Sequence, residues 1–99
     1  MELIGGDGYS TGNLFVVNAN NFYGPVCDDD WGYNEALVAC RQLGFTDGRE
    51  TTNSHFGPVP DQFAMDEVIC SGHEATIQEC QHTTSEDCWG SEGAGVQCS

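Results

Sequence analysis

Six cysteines in 99 residues set the frame within which this chain can fold: Cys27, Cys40, Cys70, Cys80, Cys88 and Cys98. No two are spaced as C-x-x-C, the tight spacing favoured by zinc ribbons and thioredoxin-like redox sites. An even count without that spacing points to three disulfides made in an oxidising compartment. Position alone leaves every pairing open. A chain of this length supports one domain, residues 1–99, with a core too modest to be robust without a covalent staple. Each cross-link contributes on the order of 3–4 kcal/mol by the chain-entropy estimate. That is large beside a typical net stability of about 5–15 kcal/mol.

Charge narrows the function classes. Sixteen acidic residues face only Arg41 and Arg49, with no lysine, for a formal net charge of −14. Nothing in the chain can neutralise phosphate or sulfate, so direct binding to nucleic acid, heparin or anionic lipid is disfavoured. No apolar run reaches the length of a membrane span, so membrane insertion by this domain is not expected. Met1 leads straight into "ELIGG" without a signal-type segment. A secreted protein would then be represented here by a mature fragment with an added Met1. No N-x-S/T sequon occurs.

Along the chain, "ELIGG" reads as a short first strand. "GNLFVVNANNFYGPVC" reads as a hairpin, with "NANN" tolerating turn geometry. Asn34 is placed to cap a helix through residues 34–43 that stops at Gly44, with Ala36, Leu37, Cys40 and Leu43 as its inward stripe. So short a helix cannot hold alone in water and needs packing. Residues 46–63 are polar and rich in Gly, Pro and Thr, which predicts a long surface loop. "FAMDEVIC" and "AGVQCS" read as strands, and "EATIQEC" as a helical turn or two. Strands outnumber helices without regular alternation, which predicts a small α+β domain.

The stretch "GPVCDDDWG" stacks three aspartates between a cysteine and a tryptophan. Two carboxylates ~4 Å apart repel by roughly 4 kcal/mol at a surface-like dielectric. Such a cluster is tolerated if the side chains splay into water or cap backbone amides. It is exploited if they share a cation, and calcium takes carboxylate oxygens by preference. Asp30 reads as a plain exposed turn residue. His55, His73 and His82 are far apart and form no H-E-x-x-H pattern. No serine carries a G-x-S-x-G elbow, so no catalytic constellation supports an enzyme. Arg41 reads as a partner for a carboxylate, Glu74 as a local cap, and Trp31 and Trp89 as packing around bonded cysteines.

Four segments together, "GPVCDDDWG", "ALVACRQLGF", "MDEVICSGHEATIQEC" and "EGAGVQC", resemble the scavenger receptor cysteine-rich domain across nearly the whole chain. Phe45 stands after "RQLG" where the eight-cysteine form has a further cysteine, so the chain resembles the six-cysteine form. The resemblance implies the pairs Cys27–Cys88, Cys40–Cys98 and Cys70–Cys80. It also implies a curved antiparallel sheet cradling the main helix, with a short second helix.

If Cys27 bonds Cys88, then Asp28 and Asp29 come close to Asp87, and Glu92 follows four residues on. By resemblance, Asp28, Asp29 and Glu92 form one cation site, and Asp29, Asp66 and Asp87 an adjacent second one. Calcium is the expected ion, with magnesium in its place as the alternative. Two positions depart from the family pattern: Gly93 stands where an aspartate is usual, and Asp87 where asparagine is common. The resemblance implies an extracellular calcium-dependent recognition module, secreted or part of an ectodomain, for microbial-surface, polyanionic or glycan ligands or for protein partners. It is expected to be monomeric unless cations bridge copies. The alternative is a spacer or interaction domain of a mosaic protein with no ligand or metal of its own.

Overall fold

The computed structural model describes residues 1–84 and 87–99. Its element order is β1 (Glu2–Ile4), β2 (Thr11–Val17), β3 (Tyr23–Pro25), α1 (Tyr33–Gln42), β4 (Gly48–Thr51), β5 (Asp66–Ile69), a 3-10 turn (Ile77–Glu79), β6 (Gln81–Thr83) and β7 (Gly95–Cys98). Five strands form one antiparallel sheet in the order β1-β2-β7-β4, with β3 also paired to β2. β5 and β6 form a separate two-stranded ribbon. All three disulfides take the expected pairing: Cys27–Cys88, Cys40–Cys98 and Cys70–Cys80. The α+β class and the helix cradled by a sheet are as the sequence implied. No helix among the described residues is long and apolar enough to cross a membrane.

The alternation of β2 explains why the sheet has two packed faces. Leu14 and Val16 point into the main core with Val26, Val38, Met65, Val68, Ile77 and Val96. Phe15 points the other way, into a smaller cluster with Val59, Phe63 and the Cys27–Cys88 bridge. The segment after β4 therefore covers the second face, and its apolar side chains anchor it there. Residues 46–63 read as loop from the sequence, yet within them Gly48–Thr51 pairs with β7 from Gly48↔Cys98 to Thr51↔Gly95. The peptide "GRET" has no apolar alternation to signal a strand. Its backbone hydrogen bonds to β7 make it one, and it remains an edge strand.

The helix begins one residue earlier than predicted, and Asn34 is not its cap. Gly32 occupies the cap position, and Glu35 in the first turn accepts its N–H through Oε1 at 2.8 Å. The other oxygen of Glu35 accepts the N–H of Cys70 at 2.7 Å. The inward face is Glu35, Ala36, Val38, Ala39 and Cys40, while Leu37 and Leu43 are only half-buried. One buried carboxylate thus ties the helix start to the Cys70–Cys80 region. Glu35→Gln keeps one acceptor and aims amide hydrogens at the other donor. It is expected to cost on the order of 1–3 kcal/mol, read as a lower urea midpoint with an unchanged circular dichroism spectrum.

Candidate functional site

The chain enters the site through Val26 and Cys27, which bridge Met65 and Gly93 respectively. Cys27 N–H donates to Met65 O at 2.9 Å, and Asp28 N–H to Glu92 O at 2.9 Å. These bonds and the Cys27–Cys88 bridge draw three remote segments together: residues 27–31, 65–66 and 87–93. The turn after Cys27 is closed by Trp31 N–H donating to Asp28 O, and Asp30 adopts a left-handed φ of 64° at its exposed tip.

Two overlapping sets of carboxylates result. Within each set one oxygen or sulfur per residue lies within 4.8 Å of the others. The first holds Asp29 and Glu92 beside the Cys27–Cys88 bridge, and the second holds Asp29, Asp66 and Asp87. Both sulfurs are committed to the disulfide, so only hard carboxylate oxygens remain as ligands. Glu92 Oε2 sits 3.9 Å from Cys27 Sγ, and its Oε1 accepts the N–H of Trp89 at 3.1 Å. Asp29 is common to both sets.

Asp28 is not among the converging carboxylates. Its Oδ2 accepts the N–H of Asn53 at 2.7 Å, which pins the segment after β4 to the acidic turn. Gly93, where the family pattern has an acid, is buried. A Cβ there would sit 2.9 Å from Ser54 Oγ and 3.2 Å from the Val59 methyls. The Gly93 N–H instead donates to Ser54 Oγ at 2.8 Å. The space a side chain would need is filled by the loop that Asp28 holds down.

Asp66 carries the strongest electrostatic signature. It is 1% exposed, and its Oδ1 accepts the N–H of Glu67 at 2.7 Å. Burial, helped by the charges of Asp29, Glu67 and Asp87, raises its pKa from 3.8 to about 6. The Glu67 N–H works against that rise. Asp87 is exposed and Glu92 half-buried, so the cluster has a buried floor and an open rim.

Trp31 is buried, its Nε1–H donating to Gly95 O at 2.9 Å. Trp89 is 69% exposed, contrary to the packing role expected. It flanks a turn in which Glu92 N–H donates to its carbonyl, and that turn throws its ring outward. Among the described residues, Arg41 donates to the carbonyl of Gly72 at 3.1 Å rather than to a carboxylate. Glu74 caps as expected, accepting from Ser71 and Gly72. The three histidines join no metal-capable group among the described residues.

The family model of the scavenger receptor cysteine-rich domain matches residues 4–99. A scavenger receptor cysteine-rich domain superfamily protein of Patiria pectinifera is 42% identical over 101 residues, 99% of this chain. Those residues are 9% of that relative, so the chain spans a small part of its length. Among solved structures, the third such domain of murine neurotrypsin superposes with a TM-score of 0.86 at 35% identity, covering 97% of this chain and 92% of that one. The dimeric form of the corresponding domain of mouse MARCO gives 0.78 at 36% identity, covering 90% and 86%. With its sheet, helix and three bridges, the chain belongs to the scavenger receptor cysteine-rich family, in its six-cysteine form.

Proposed function

We propose that this domain is an extracellular recognition module that meets its ligands through calcium, or magnesium in its place, held by Asp29 with Glu92 in one site and by Asp29 with Asp66 and Asp87 in a second, adjacent one. The convergence of these carboxylates in two overlapping sets that share Asp29, with Asp66 buried in the second, is the observation that carries the reading. All available donors are hard oxygens, the set that suits calcium rather than a transition metal. A bound divalent ion would relieve the repulsion among them and leave coordination positions open toward the solvent rim. With a net charge of −14, the ion is the feature that lets an anionic group on a microbial surface, a glycan or a partner protein approach. Three disulfides support an extracellular setting.

The test is thermal. A ligand held at 100 times its dissociation constant adds about 2.7 kcal/mol, which for a domain of this size raises Tm by roughly 10 °C. Metal-stripped protein is expected to melt at least that much higher in saturating calcium than in chelator. The gain should shrink below pH ~6, where a proton on Asp66 competes with the ion. Coincident melts in calcium and chelator would instead leave a spacer domain without a metal.

A further inference from the structure

β4 ends the sheet, so one of its two edges has no strand beside it. The ladder fixes which groups face that way. Asp47 and Ser99 exchange both backbone bonds, Asp47 N–H to Ser99 O at 3.2 Å and Ser99 N–H to Asp47 O at 2.9 Å. Bonding alternates along an antiparallel pair. Arg49 and Thr51 therefore also turn their N–H and C=O toward β7, while Gly48 and Glu50 turn theirs away. Asp47 Oδ1 takes the Gly48 N–H at 2.8 Å. The N–H and C=O of Glu50 and the C=O of Gly48 have no partner among the described residues. Such a row of open groups is a template for a further strand.

A cleft of about 550 Å³ runs along this edge. Four consecutive residues line it: Glu50, Thr51, Thr52 and Asn53. Successive side chains of a strand point to opposite faces, so a hollow that touches all four lies against the edge and not against one face. No member of the two carboxylate sets lines it. The edge is also fixed at its far end, where Asp28 Oδ2 accepts the Asn53 N–H at 2.7 Å.

The charges choose between occupants. Arg49 and Glu50 are adjacent, exposed and on opposite faces of the strand. A second copy of the chain, docked about a two-fold axis, would pair this edge with itself. Within Gly48–Thr51, the registers that use the open groups of Glu50 set Glu50 against Glu50 or Arg49 against Arg49. Like charges directly opposite are destabilising, so the edge disfavours its own copy. A foreign strand meets no such bar if it carries a base opposite Glu50 and an acid opposite Arg49. Every pair in the sheet is antiparallel, and in that direction the residue opposite Glu50 comes first in the partner. We infer that the β4 edge takes up an extended segment of a partner protein as an added antiparallel strand, one in which a basic residue is followed directly by an acidic residue. Backbone bonds to Glu50 and Gly48 supply the attachment, and the charge order sets the register. This edge lies outside the cation sites and needs no metal.

The experiment is a titration of the ¹⁵N-labelled domain, in chelator, with the peptide acetyl-Thr-Val-Lys-Glu-Val-Thr-amide and with its charge-swapped form, acetyl-Thr-Val-Glu-Lys-Val-Thr-amide. The first should give saturable shifts at the Glu50 amide and slow its exchange with solvent. The swapped peptide should bind about fivefold more weakly, because both cross-strand pairs become like-charged. The double variant Arg49→Glu with Glu50→Lys should reverse that preference. A methyl on the backbone nitrogen of the peptide lysine removes the donor to Glu50 C=O and should abolish binding. Absence of saturable shifts with both peptides, equal binding of the two charge orders, or retained binding of the methylated peptide overturns the assignment. Glu50 shifts that grow with protein concentration alone overturn it too, since a second copy would then be the occupant. Because calcium is absent throughout, failure here leaves the metal reading untouched.

Discussion

Replacing Cys27 and Cys88 together by alanine is expected to cost about 4 kcal/mol and to abolish calcium binding along with it. This bridge joins residues 61 apart, so its removal frees a long loop in the unfolded chain. The folded state loses as well, because the bridge is itself part of the smaller core with Phe15, Val59 and Phe63. Asp29 and Asp87 flank the two cysteines, and without the bridge nothing covalent holds them against each other. The matched comparison is Cys70→Ala with Cys80→Ala, whose bridge spans only 10 residues. That pair should cost less, about 3 kcal/mol, and leave calcium binding in place. Urea unfolding and calcium calorimetry on both variants decide it. Equal calcium affinity in the two would mean the carboxylates are assembled without the Cys27–Cys88 bridge.

Asp66→Asn is expected to stabilise the metal-free domain at pH 7 and to weaken calcium binding. The sign follows from the raised pKa. Between about pH 4 and 6 the folded state binds the Asp66 proton that the unfolded state has released. Stability in chelator should therefore fall as pH rises through that window, by on the order of 3 kcal/mol for this one group. Asparagine keeps an acceptor for the Glu67 N–H but carries no charge, so the variant should show a flatter profile over those pH values. In calcium the order should reverse, because the wild-type carboxylate is neutralised by the ion while the amide gains little. A variant less stable than wild type in chelator at pH 7 would show that Asp66 is not charged at a cost there.

The features legible in the sequence were those set by strong local patterns. The hairpin around "NANN" holds because Asn18 Oδ1 accepts the N–H groups of Asn20 and Phe22. The helix was legible from its apolar spacing, but not its start, since Glu35 reaches back to Gly32 and serves a second donor at Cys70. That second donor is a tertiary contact with no local trace. β4 and β6 escaped notice because three- and four-residue polar strands acquire their identity from a partner strand. The disulfide pairing came from the family resemblance, since cysteine spacing alone decides nothing. Asp29 and Glu92 were foreseeable once Cys27 was tied to Cys88. The direction of Asp28 was not, because it depends on Asn53, which lies 25 residues away. The two tryptophans show the same limit: Trp31 has a buried carbonyl, that of Gly95, for its indole N–H, while Trp89, next to Cys88, stays exposed.

The most direct measurement is calorimetric titration of calcium into metal-stripped wild type, Asp29→Asn and Asp28→Asn. Wild type should give a saturable heat with a dissociation constant in the micromolar to millimolar range. Asp29→Asn should lose it, since Asp29 belongs to both carboxylate sets. Asp28→Asn should keep it, because its side chain faces Asn53 and an amide oxygen can still accept that N–H. No heat from wild type, or loss in Asp28→Asn with retention in Asp29→Asn, would contradict a cation held by the carboxylates that the Cys27–Cys88 bridge brings together.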